Sequence, residues 1–170
     1  MILNSSAPGL AQQKLSISVR LLFGIYALNY IADIAHNDLL PNNVLLDFSA
    51  HAFQKICYTS TDGTVKSMIV PSYGIKPLIC DFGMATRCSS TFNMTDDYEL
   101  AMIHIDGAMP DWYNKPLERT KRGVVIATCE RLAGQLMSLD PQCTADATDC
   151  NTIVLDLTED VDKPASCFVC

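Results

Sequence analysis

The sequence has no excess of positive charge: 12 lysines and arginines stand against 19 aspartates and glutamates, for a formal net charge of −7. A chain of that sign does not read as a general binder of phosphate backbones, so no nucleic acid is expected as its primary partner. It also has no long unbroken apolar run. The longest apolar stretch, residues 17–35, is interrupted by Arg20, Asn29 and Asp33, which argues against a membrane span. At the N-terminus there is no basic region followed by a short apolar core and a small-residue cleavage site, so no secretory signal is read there. Cysteine is plentiful but regular cysteine spacing is absent. Cys57, Cys80, Cys88, Cys129, Cys143, Cys150, Cys167 and Cys170 are scattered in a way that does not describe a disulfide framework. Cys80 lies inside an apolar strand pattern and reads as a buried free thiol. These absences fit a reducing, intracellular and cytoplasmic setting. Residues 1–14 contain no glycine-rich phosphate loop.

What is present is enough apolar material for a packed core: 170 residues, 49% of them hydrophobic, suffice for one domain. Residues 1–14 are small and polar, with a turn cluster at Ser5-Ser6-Ala7-Pro8-Gly9, and read as a flexible leader. From Leu15, the residues Val19, Leu22, Tyr26 and Tyr30 recur near helical spacing, widened by Leu21, Ile25 and Leu28, and predict a largely buried helix. Residues 53–58 and 65–70 are β-prone runs flanking Thr61-Asp62-Gly63-Thr64. Asp-Gly favours a two-residue hairpin turn because both central positions tolerate positive φ, so a β-hairpin is expected inside an insertion at about 49–74. Lys76-Pro77-Leu78-Ile79-Cys80 predicts a strand, and residues 84–91 a polar loop. Residues 121–139 carry an apolar helical stripe, Val124, Val125, Thr128, Leu132, Leu136 and Leu139. Residues 141–170 turn acidic and small and read as a disordered tail.

The stretch with chemical content is Ala35-His36-Asn37-Asp38-Leu39-Leu40-Pro41-Asn42-Asn43-Val44-Leu45-Leu46, followed downstream by Ile79-Cys80-Asp81-Phe82-Gly83. An aspartate precedes an asparagine by five positions with an apolar strand behind them, and a second aspartate ends another apolar run. These residues resemble the protein kinase family, whose catalytic loop reads His-Arg-Asp-Leu-x-x-x-x-Asn and whose metal-binding turn reads Asp-Phe-Gly. His36, Asp38, Leu39, Asn43, Asp81, Phe82 and Gly83 match. The segment Thr95-Asp96-Asp97-Tyr98-Glu99-Leu100 further resembles the start of the kinase helix that opens on a buried aspartate, with Asp97 as that residue and Thr95 or Asp96 as the N-cap. A competing alignment takes Ala108-Met109-Pro110-Asp111 as a degenerate Ala-Pro-Glu motif, with that helix later.

The resemblance implies an α+β fold: a mainly helical kinase-like C-terminal lobe over 15–140, with a small antiparallel β-hairpin region around the catalytic loop. It implies ATP and Mg²⁺ or Mn²⁺ as cofactors, and transfer of the γ-phosphate to a protein hydroxyl, serine or threonine before tyrosine. Asp38 would be the base, Asn43 and Asp81 the metal ligands, Phe82 would pack under the helices, Gly83 would free the turn, and His36 and Asp97 would be supports. The chain departs from the family at two places in this loop. Asn37 replaces the arginine that meets an activating phosphate, so control by that route is not expected, and Leu40 replaces a lysine beside the transferred phosphate. The glycine-rich lid and the paired lysine and glutamate of the N-terminal lobe have no counterpart that can be assigned here.

Two other functions fit the same residues. One is a non-catalytic, pseudokinase-like binding module; the other is a small-molecule kinase of the aminoglycoside or choline type, against which Asp81-Phe82-Gly83 and Leu39-x-Pro41 weigh. The terminal Cys167-Phe168-Val169-Cys170 has the position of a lipidation box without a basic run before it, and as half a zinc site it lacks a second pair.

Overall fold

The computed structural model describes residues 9–48, 53–60, 62–88, 97, 122–139 and 152–157. The expectation of a degenerate closing motif at 108–111, the rest of the helix opening at Asp97 and the Cys167–Cys170 readings lie outside them. Two helices, α1 (Leu10–Tyr26) and α2 (Arg122–Leu139), pack against one another. The strands among the described residues follow the order β1 (Ile34–Ala35), β2 (Val44–Asp47), β3 (Phe53–Thr59), β4 (Val65–Pro71), β5 (Lys76–Ile79), β6 (Thr86–Arg87) and β7 (Thr152–Leu157). The architecture is α+β. None of the described helices is long and apolar enough to cross a membrane.

Helix α1 starts at Leu10, five residues ahead of the apolar stripe. Leu10-Ala11-Gln12-Gln13 are good helix formers without an apolar face, and the start is set by Gly9, whose φ of 98° is outside the helical region while its carbonyl accepts from the Gln13 N–H at 2.9 Å. Beyond Tyr26 the helix widens into a π turn over Ala27–Ile31. Val19, Leu22, Phe23, Ile25 and Tyr26 are buried, and so are Ser16, Ser18 and Arg20, so the helix is enclosed on nearly all sides. Enclosure of polar groups requires partners. Ser16 donates to the Pro71 carbonyl, and Arg20 donates to Ser16 O at 3.2 Å and Ser72 O at 3.3 Å. Burial lowers the Arg20 guanidinium to about 10.

The hairpin β3–β4 forms with Thr59 opposite Val65 and Phe53 opposite Pro71. It is a separate hairpin rather than an elongation of the neighbouring strand pair, because among the described residues β2 pairs only with β5, Val44 opposite Ile79. Its turn differs from the two-residue type: the Ser60 N–H donates to Thr64 O and the Gly63 N–H to Ser60 O. Of the turn residues described, only Gly63 takes positive φ (82°), while the Asp62 carboxylate accepts from the Thr64 N–H and hydroxyl. An aspartate that satisfies the backbone two residues on has no need of the left-handed conformation.

Ile56, Tyr58, Met68 and Val70 of the hairpin join α1 and α2 in one core with Val125, Ile126, Cys129, Leu132 and Leu136. The hairpin is therefore a wall of the core, not an appendage. Thr152–Leu157 falls in the stretch expected to be a tail, yet it forms β7 parallel to β3, with Phe53 opposite Thr152. The run Thr152-Ile153-Val154-Leu155 is β-prone, and β3 offers it an open edge.

Across this core the Tyr58 hydroxyl donates to Glu130 Oε1 at 2.6 Å, and Lys66 Nζ lies 3.7 Å from the same oxygen. Burial first, and the Glu130 carboxylate second, push the Tyr58 hydroxyl well above the usual tyrosine range. The folded chain then keeps a proton that the unfolded chain releases above about pH 10, so stability falls as pH rises through that point. Tyr58→Phe is expected to cost about 1 kcal/mol at neutral pH and to flatten the alkaline decline, as urea denaturation at about pH 7 and about pH 10.5 would show.

Candidate functional site

The loop between β1 and β2 is built from its own turns. Leu40 N–H donates to Asp38 O at 2.8 Å and Asn43 N–H to Leu40 O at 2.9 Å. Pro41, whose φ is fixed, opens the short 3-10 turn Pro41–Asn43. Leu39 is buried and anchors the loop to the core, which leaves Asp38 half-buried at the rim. Asn43 is buried, and its Nδ2 donates to Asp38 O at 2.8 Å and Asp38 Oδ2 at 3.1 Å. Both amide hydrogens are thereby used toward Asp38, and Asn43 Oδ1 is the atom left for an outside ligand.

The Cys80 N–H donates to Asn43 O at 2.9 Å, which extends the β2–β5 pairing by one step and puts Cys80, the residue before Asp81, opposite Asn43. Asp81 stands at φ 62°, a conformation aspartate tolerates better than most residues, and its Oδ1 accepts from the Gly83 N–H at 3.4 Å. The residue is exposed. Cys80 is half-buried and free, not enclosed as its strand pattern suggests, because β5 belongs to a two-stranded ribbon with its faces only partly covered.

His36 is fully buried, and its Nε2 donates to the Cys80 carbonyl at 2.9 Å, so one side chain ties the loop to the turn bearing Asp81. A carbonyl can only accept, which places the ring proton on Nε2. Phe82 leans on the His36 ring with centroids 4.9 Å apart. It is 45% exposed, so the helices do not cover it in the way the motif implied.

Beneath the loop lies Asp97, wholly buried. Its Oδ2 accepts from the His36 N–H at 2.8 Å and from Asn29 Nδ2 at 3.1 Å, and its Oδ1 accepts from the Asn37 N–H at 2.8 Å. Asn29 also donates to Ile34 O at 2.8 Å. One carboxylate thus orders the backbone on which Asp38 is carried. Close by, the Cys88 thiol is pushed up to about 11 by burial first, then by Asp33 and Asp97, and is a poor nucleophile at neutral pH.

The loop residues Asp38 and Asn43 are in direct contact, Asp81 is one residue from the backbone bond that joins the two segments, and His36 and Asp97 brace them. Among the described residues no three His, Cys, Asp or Glu side chains gather as a metal group. The oxygens that this loop and turn could offer an ion are the Asn43 amide oxygen and the Asp81 carboxylate. Hard oxygen donors in that small number suit Mg²⁺, which keeps water or phosphate oxygens in its remaining positions. Two supports are not legible in the sequence, the Asn29 bond to Asp97 and the Asn37 side-chain bonds to the far side of the turn, because both join residues far apart in the chain. No family model, curated protein or solved structure matches the chain.

Proposed function

We propose that this chain carries the metal-binding and proton-accepting half of an ATP-dependent phosphotransferase of the protein kinase type. The observation that carries the reading is the use of both Asn43 amide hydrogens on Asp38, which leaves Asn43 Oδ1 for a ligand beside Asp81. Phosphoryl transfer asks for a positioned hydroxyl and neutralised charge rather than covalent chemistry from the protein. Mg²⁺ held by Asn43 and Asp81 would supply the neutralisation. Asp38, half-buried and oriented by the Asn43 amide, would align the acceptor hydroxyl and take its proton. By the same resemblance the acceptor would be a protein hydroxyl, serine or threonine before tyrosine.

Leu40 favours a second reading, a nucleotide-binding module without transfer, since it places no cation beside Asp38. The two readings part in Asp38→Asn. In the phosphotransferase, this variant retains Mg-ATP binding by thermal shift and loses autophosphorylation by about 10²–10⁴-fold. Equal, metal-independent labelling of both proteins would remove the catalytic reading, and absence of any Mg-ATP shift in the unaltered chain would remove both.

A further inference from the structure

We propose that the Asn37 side-chain amide is a positioning latch that clamps residues 82–88 to the loop of Asp38 and Asn43, and so fixes Asp81 beside Asn43. The consequence for ion binding rests on the reading given above; the latch itself does not. Asn37 takes φ 64°, in the region that asparagine enters more easily than other side-chain-bearing residues. Its N–H is pinned from below by Asp97 Oδ1. The side chain is then held facing the segment beyond Asp81, where Nδ2 donates to Met84 O and to Thr86 Oγ1, both at 2.9 Å, with Ala35 O farther away at 3.4 Å. An amide has two hydrogens, and its two shorter bonds are to that segment.

Little else holds it. Phe82, Gly83, Met84, Thr86 and Arg87 are exposed, so the segment has no enclosed apolar anchor of its own. Its other ties among the described residues are the two-residue pairing of β1 with β6, the Cys88 N–H to Asp33 O at 3.0 Å, and the contact of Phe82 with His36. Among the described residues no ion pair joins it to the rest of the chain. A charged side chain at position 37 would make the order of this segment depend on a counter-charge. The neutral amide of Asn37 instead uses a carbonyl and a hydroxyl of the segment itself, in addition to those ties.

The test compares the unaltered chain with Asn37→Gly, which accepts positive φ and removes the amide, with Thr86→Val, and with the double variant. Amide hydrogen exchange is read at Cys88, with α1 amides as the control. The latch predicts exchange at Cys88 faster by about tenfold or more in Asn37→Gly, a smaller rise in Thr86→Val, no further rise in the double variant, and unchanged α1. Unchanged exchange at Cys88, equal acceleration in α1, or additive effects in the double variant would overturn it. Mn²⁺ binding, followed by electron paramagnetic resonance, should weaken about tenfold in Asn37→Gly. Equal Mn²⁺ affinity in the two proteins would refute the positioning of Asp81, whereas no Mn²⁺ binding by the unaltered chain would refute the ion reading beneath it.

Discussion

Asp97→Ala is expected to lower the stability of the protein by about 3–5 kcal/mol, since it strands several buried donors at once. The carboxylate accepts from the His36 and Asn37 backbone N–H groups and from Asn29 Nδ2; Asp97, His36 and Asn29 are buried and Asn37 is half-buried. Alanine leaves all three donors without that acceptor, and each costs more unpaired than its bond contributes when made. Asp97→Asn should also be damaging, because its amide brings a donor into a ring of donors. Chemical denaturation monitored by tryptophan fluorescence and by far-ultraviolet circular dichroism would measure both. A loss below about 1 kcal/mol for Asp97→Ala would mean that the loop is ordered by other contacts.

Asp81→Asn should have the opposite profile, leaving stability nearly intact while removing at least about a hundredfold of the affinity for Mg-ATP. The residue is exposed, asparagine accepts φ 62°, and the substituted oxygen still accepts from the Gly83 N–H. What disappears is the negative charge and a hard oxygen ligand. The loss should vanish when binding is measured without a divalent ion, because the nucleotide alone has no use for that carboxylate. An equal loss with and without Mg²⁺ would assign Asp81 a structural role instead.

These two aspartates differ in how far the sequence exposes them. Asp38 and Asn43 lie five positions apart in one short motif, so their contact is legible in the order of the residues, whereas Asp81 is tied to them there only by the resemblance, and the bonds that Asp97 makes are not legible at all. The hairpin β3–β4 and helix α2 are legible for a related reason: alternation and a 3.6-residue period each imply one buried face. The start of α1 is not, since Leu10-Ala11-Gln12-Gln13 has helix propensity but no apolar stripe to announce it. Strand β7 is hidden by its acidic surroundings, and its parallel pairing with β3 is decided by a partner about a hundred residues earlier. Asn37 shows the same limit at the site. Its type suggests only what the chain lacks, while its bonds to Met84 and Thr86 depend on how the two segments meet.

The most direct test of the site is a Mn²⁺ titration followed by amide nuclear magnetic resonance at substoichiometric metal. Paramagnetic broadening is predicted first at Asp38, Asn43 and Asp81 together, and in Asp81→Asn it should require far more metal. Broadening that begins at acidic residues elsewhere in the chain, or that reaches Asp38 and Asp81 at clearly different metal concentrations, would contradict a single ion held by Asn43 and Asp81 with Asp38 beside it.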